Sequence, residues 1–143
     1  MHQLTKSFKA GVEWNQLAGE VGLVANWRAL PETATRPAVI FGTSSDRIGT
    51  PDGQSYYATV SKSFHHIIGL PIAPYAGMSW GTAEDRMLYP FGVNVQIRSG
   101  WSAMVMNDGV HTHLSSTYAF SRYSLTVLAV ERKDLGITIG AAW

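Results

Sequence analysis

Three groups of residues in this chain could do chemistry. In the stretch Asp108-Gly109-Val110-His111-Thr112-His113-Leu114-Ser115-Ser116, His113 and Ser115 stand two apart. On an extended strand that spacing puts both side chains on one face, where an imidazole can serve as base to a serine nucleophile. No carboxylate that would orient the imidazole can be assigned from the spacing. His111 and His113, also two apart, could share a metal ion, but no third ligand is evident, and neither a metal nor another cofactor is expected. The third group is Lys9, Glu13, Glu20, Arg28, Asn94, Gln96 and Arg98, which fall on the polar side of alternating segments. Inside a narrow barrel such charges must pair, because an unpaired buried charge is costly. These residues are therefore expected to form a lumen network, with Glu13 or Glu20 within salt-bridge reach of Lys9, Arg28 or Arg98. The other reading of the group is a charged constriction that sets solute selectivity.

The elements that must position these groups are strands. Between residues 17 and 28, Val21, Leu23, Ala25 and Trp27 alternate with Glu20, Gly22, Val24, Asn26 and Arg28. Between 89 and 98, Phe91, Val93, Val95 and Ile97 alternate with Gly92, Asn94, Gln96 and Arg98. Period two of this kind marks a strand with one apolar and one polar face. It predicts ten strands, at 4–14, 17–28, 36–44, 54–64, 71–82, 89–98, 101–107, 114–120, 123–131 and 135–143. Tight turns are expected at Ser99-Gly100 and Ser121-Arg122 and longer loops at 45–53, 82–88 and 107–113, an alternation that outer-membrane barrels show. The segment 29–35, with Pro31, is long for a turn on the short side, and Asn15-Gln16 is short for a loop on the long side. His65-His66 reads as an exposed turn. Gly11, Gly22, Gly42, Gly77, Gly81, Gly92 and Gly140 lie on the polar face, where they let strands curl and large neighbours such as Tyr57 and Tyr75 fit.

Composition agrees with a single domain. A chain of 143 residues without cysteine has no disulfide framework and no thiolate metal site or nucleophile. Formal net charge is +1, and the basic residues are scattered along the sequence without forming a stripe, which argues against a nucleic-acid partner. No apolar run approaches the ~18 residues of a membrane helix, so a spanning structure must be built of strands. The N-terminus, Met-His-Gln-Leu-Thr-Lys, lacks the apolar core of a signal peptide, so a leader is expected to have been removed.

Aromatic positions supply an independent test, since strand direction alternates and each ring can be assigned to a rim. Trp14, Tyr56, Trp80, Tyr89 and Phe91 fall at one end; Phe8, Trp27, Phe64, Trp101, Phe120, Tyr123 and Trp143 fall at the other; Phe41 falls mid-strand. Two aromatic belts are what two membrane interfaces predict. Trp14, Trp27, Tyr56, Phe64, Trp80, Trp101, Tyr123 and Trp143 are the expected membrane-interface residues. The alternative is a soluble calycin-type ligand-binding barrel, in which the apolar face would point inward.

The last segment, Leu135-Gly136-Ile137-Thr138-Ile139-Gly140-Ala141-Ala142-Trp143, resembles the C-terminal signal that bacterial outer-membrane barrels present to their insertion machinery. The resemblance implies that this machinery is a partner. His113-x-Ser115 is similar to the His-x-Ser element of PagL-like lipid A deacylases, with Ser116 where that element has asparagine; it implies a membrane-embedded lipid hydrolase. The stretch 37–43, Pro-Ala-Val-Ile-Phe-Gly-Thr, with 56–62, Tyr-Tyr-Ala-Thr-Val-Ser-Lys, and Asn107-Asp108-Gly109 resembles YjbH-like outer-membrane proteins. That likeness implies a barrel tied to exopolysaccharide secretion or assembly, without catalytic residues to transfer, although members of that family are generally much larger. The expectation is an all-β, antiparallel transmembrane β-barrel of about ten strands, eight being possible, in a bacterial outer membrane. It would be porin-like, a structural or small-solute passage protein whose partners are the lipid bilayer and a polysaccharide or small solute.

Overall fold

The computed structural model describes residues 1–15, 19–46, 52–130 and 134–141. Ten strands of seven to eleven residues form one antiparallel sheet in sequence order: β2 (Phe8–Asn15), β3 (Glu20–Leu30), β4 (Ala38–Ser45), β5 (Gln54–Ser61), β6 (Ile72–Gly81), β8 (Phe91–Arg98), β9 (Trp101–Asn107), β10 (Thr112–Phe120), β11 (Tyr123–Val130) and β12 (Asp134–Ala141). These are the ten segments expected from alternation, with ends shifted by a few residues. Two short strands, β1 (His2–Gln3) and β7 (Arg86–Leu88), bring the sheet to twelve.

Each departure from the expected pattern has a local cause. β7 lies in the segment expected to be a loop and pairs with the end of β6, Ser79 opposite Leu88 and Gly81 opposite Arg86. β8 then continues along the same edge of β6, from Ala76 opposite Phe91. Pro90, which has no N–H to give a ladder, separates the two. The His65-His66 turn is a single helical turn, α1 (His65–Ile68), ended by Gly69 at φ 73°. The tight turns are as expected, with Gly100 at φ 74° and Ser121 at φ 53°.

The sheet is open, which corrects the expectation of a closed barrel. β12 pairs with β11, and among the described residues no ladder joins it to β1 or β2. The edge of β2 is instead covered by β1, with His2 opposite Ala10 and Gln3 opposite Lys9. Those two positions lie where a closing strand would have to bond.

Its curvature is nevertheless defined, because side chains on one face reach across an intervening strand. Glu13 on β2 accepts a hydrogen bond from the Ser45 amide on β4. Tyr57 on β5 donates to Asn26 Oδ1 on β3 at 2.7 Å, and the Gln54 amide donates to the Leu23 carbonyl of β3 at 2.8 Å. Contacts that skip a strand require the sheet to curl toward the face that makes them. That inward face is the polar one.

The outward face is apolar and open. Val12 and Val21 are 65% and 68% exposed, and Leu135, Ile137 and Ile139 are 71–79% exposed. Among the described residues the buried hydrophobic side chains are Ala38 and Leu88. The described residues therefore form no apolar core of the kind that holds a soluble domain together.

Candidate functional site

The inward face is built by cross-strand rows. One row runs Lys9, Asn26, Gly42, Tyr57, Ser79 across β2 to β6. Gly42 is required there, since a Cβ would lie 2.5 Å from the Tyr57 ring that covers it. A second row runs Tyr75, Gly92, Met106, His113, Val130 across β6 and β8 to β11. Gly92 repeats the device: a Cβ would meet the Tyr75 ring at 2.8 Å. The fit of glycine to tyrosine expected from the sequence is thus present twice. Between the rows lies a cavity of about 300 Å³ whose lining includes Ser55, Tyr57, Tyr75, Ser79, Asp46 and Asp108.

At its loop end this face holds the one fully buried imidazole among the described residues. His113 is fully buried, and its Nε2 lies 3.0 Å from Asp108 Oδ2. A carboxylate acceptor at that nitrogen places the proton on Nε2. Asp108 sits in the β9–β10 loop, where its other oxygen accepts from the amides of Val110 at 2.8 Å and His111 at 2.7 Å. Burial pushes the Asp108 carboxyl up, but the hydrogen bonds from the His111 backbone, the His113 side chain and the Val110 backbone outweigh it and hold the group below its ordinary value of 3.8. The orienting carboxylate that spacing alone did not reveal is therefore Asp108. It is legible once Asn107 is placed opposite Thr112, because that register turns the loop back over His113.

The hydrolase arrangement is not assembled. Ser115 shares the inward face with His113, but the remaining ring nitrogen, Nδ1, has no hydrogen-bond partner. Ser115 therefore does not bond the imidazole, and the pair faces inward, not toward the outward surface. Nor does the geometry bring His111 and His113 into a metal site: among the described residues no group of three potential ligands gathers.

The lumen charges are likewise spread out. Glu13 is held by the Ser45 amide. Arg28 donates to the Lys6 carbonyl at 2.8 Å and, with Lys6 and Lys9, lines a cleft of about 230 Å³ at the turn end. Glu20 borders a separate cleft at the loop end. Among the described residues no ion pair joins Glu13 or Glu20 to Lys9, Arg28 or Arg98, so that expectation is not met. The reason is axial: Glu13 and Glu20 lie toward the loop end of their strands, and the three cations toward the turn end. Asn94 and Gln96 are on the inward face, and Gln96 donates to the carbonyls of Arg98 at 2.6 Å and Trp101 at 3.0 Å. Arg98 leaves the lumen. The register shifts between Gln96 and Arg98, and the guanidinium lies over the Trp101 ring, 5.1 Å from its centroid.

Of the expected interface aromatics, Trp14, Trp27, Tyr56, Trp80, Trp101 and Tyr123 fall on the outward face of their strands near its two ends, and Phe64 is the N-cap residue of α1. Trp14, Trp27, Tyr56, Trp80 and Tyr123 are exposed, while Phe64 and Trp101 are partly covered; Trp143 lies outside the described residues. Tyr56 stacks on Trp80 with centroids 6.1 Å apart. Phe41, expected mid-strand, is opposite Trp27 and stacks on it at 5.8 Å, which joins it to the turn-end belt. Trp101 Nε1 donates to Ser116 Oγ at 2.8 Å, satisfying an indole that would otherwise lack a partner on an apolar surface.

Comparison with protein-family models, with curated proteins and with solved structures gives no match.

Proposed function

We propose that this sheet is the wall of a transmembrane β-barrel of the bacterial outer-membrane type, a structural or small-solute passage protein. The observation that carries the reading is the outward face. From β2 to β12 it presents valine, leucine, isoleucine and aromatic side chains to the surroundings, while tyrosine, serine, threonine and amide groups turn inward. In water such a surface would drive association; in a bilayer it replaces the missing core. The same distribution counts against a soluble ligand-binding barrel.

The longer strands, β3 with eleven residues and β6 with ten, suit a tilted crossing of the hydrocarbon layer. In that environment the free edge of β12 has no water to bond, so closure of β12 onto β2, with release of β1, is the favoured state. The test is refolding into phosphatidylcholine vesicles and into buffer alone. Folding that needs lipid or detergent supports the reading, and a monodisperse folded protein in plain buffer removes it. Single-channel recording then separates the two roles, because a continuous water path conducts ions and a filled interior does not.

A further inference from the structure

Cations that lie far apart in sequence are gathered by the topology. Among the described residues, the turn end of the sheet carries Lys6, Lys9, Arg28 and Arg36 around its first three main strands and Lys62, Arg98 and Arg122 around the later ones. Against them, among the described residues, stands one carboxylate side chain, Glu32, held by Lys62 at 3.2 Å. The loop end is the reverse. It carries Glu13, Glu20, Asp46 and Asp52 on one side and Glu84, Asp85 and Asp108 on the other, and among the described residues Arg86 is paired there with Glu84. Arg47, Arg132 and Lys133, in the connections at this end, lie outside the described residues, and acidic residues still outnumber basic ones.

Two of the turn-end cations are joined to the aromatic belt. Arg98 lies 5.1 Å over Trp101 and Arg122 5.4 Å over Tyr123, and Tyr123 packs against Phe120 with centroids 5.9 Å apart. Both guanidinium groups are exposed, as are Lys6, Lys9, Arg28 and Arg36. A guanidinium stacks on a ring through its face, and its in-plane N–H groups match a planar or tetrahedral oxyanion; phosphate is the anion found at the depth where aromatic belts sit.

The geometry points to an anionic phospholipid surface as the partner of the turn end, with Arg98 and Arg122 holding headgroup phosphates beside the Trp101 and Tyr123 rings. This rests on the membrane reading above. Its consequence is orientation: the acidic loop end is repelled by the surface that the turn end binds, so the barrel sits one way round against a charged leaflet.

The test uses the full chain in vesicles with the Trp14→Phe and Trp80→Phe changes, which remove the loop-end reporters. Tryptophan quenching is compared for brominated phosphatidylcholine and brominated phosphatidylglycerol. Quenching by both, with a preference for phosphatidylglycerol on the order of five-fold, is expected. The preference should fall toward parity in Arg98→Gln/Arg122→Gln and at high salt, and persist in the loop-end control Arg86→Gln. Equal quenching by the two lipids, or a preference that survives the double substitution, overturns lipid docking and leaves the membrane reading standing. No quenching by either lipid overturns both.

Discussion

The two faces of this sheet use the same backbone and opposite chemistry. Outward, β12 offers Leu135, Ile137 and Ile139, all more than 70% exposed; inward, the same strand offers Gly136, Thr138 and Gly140 opposite Leu128, Thr126 and Ser124. The outward face has little specific geometry beyond its stacked rings, and any apolar side chain would serve. The inward face is particular: glycines admit tyrosine rings, Tyr57 is bonded to Asn26, and His113 is bonded to Asp108. The difference teaches that identity on one face is set by the surrounding medium and on the other by neighbouring side chains. Substitutions should follow the same division.

The largest effect should come from placing charge on the outward face. Val95, opposite Ile72 and Ala103 near mid-strand, changed to Arg should lower stability in a bilayer by about 2–4 kcal/mol, with a smaller loss for Arg at the rim residue Trp101. Equilibrium unfolding from vesicles measures both, and equal costs at the two depths would break the comparison.

Next come the inward glycines. Gly42→Ala drives a methyl into the Tyr57 ring and should cost about 1–3 kcal/mol. Gly136→Ala, whose new Cβ would find its nearest neighbour at 3.7 Å, should cost little. A double variant in which Tyr57→Phe accompanies Gly42→Ala should not rescue the loss, since the ring and not only the hydroxyl occupies the space.

Asp108→Asn removes the charge from the buried imidazole pair and should cost about 1–3 kcal/mol near neutral pH. Because the Asp108 carboxyl is held below its ordinary value of 3.8, its contribution is present above that value and is lost as pH falls through the lower folded-state value. The wild-type advantage over Asp108→Asn should therefore vanish in acid, which denaturation midpoints from about pH 7 down to about pH 2 will show. Among the changes that break a contact, the smallest effect belongs to Thr117→Ala on the inward face. It loses one exchangeable hydroxyl bond to Thr126, now 2.8 Å long, for about 0.5–1.5 kcal/mol.

The strands were legible because their two faces differ so sharply: Val21, Leu23 and Trp27 against Gly22, Asn26 and Arg28 leave no other period. What alternation could not reveal was anything that depends on which strands meet at the ends. β7 looked like a loop because Arg86, Met87 and Leu88 are too few to alternate, and only the β6 edge makes them a strand. Arg98 kept the inward parity of Asn94 and Gln96, but the register shift before Trp101 turned it to the rim. Asp108 falls in the longer loop expected at 107–113; its second task, holding His113, follows from the β9–β10 register and not from spacing along the chain. Charge segregation was hidden for the same reason. Lys62, Arg98 and Arg122 are far apart in sequence, and strand reversal puts them at one end. Closure was expected from the pattern, but β1 covers the β2 edge at Ala10 and Lys9, and no periodicity in two residues could have announced it.

The central claim is that the apolar face meets lipid and the polar face meets a protected interior. Nitroxide labels placed one at a time from Phe91 to Ile97 on β8, in protein refolded into vesicles, test it most directly. Collision with oxygen, which concentrates in the bilayer, should peak at Phe91, Val93, Val95 and Ile97. Collision with a water-soluble nickel complex should be low there and follow the opposite period at Gly92, Asn94 and Gln96, weakened where the interior is filled. Oxygen accessibility peaking at Gly92, Asn94 and Gln96 instead, or no alternation at all along β8, would contradict the account.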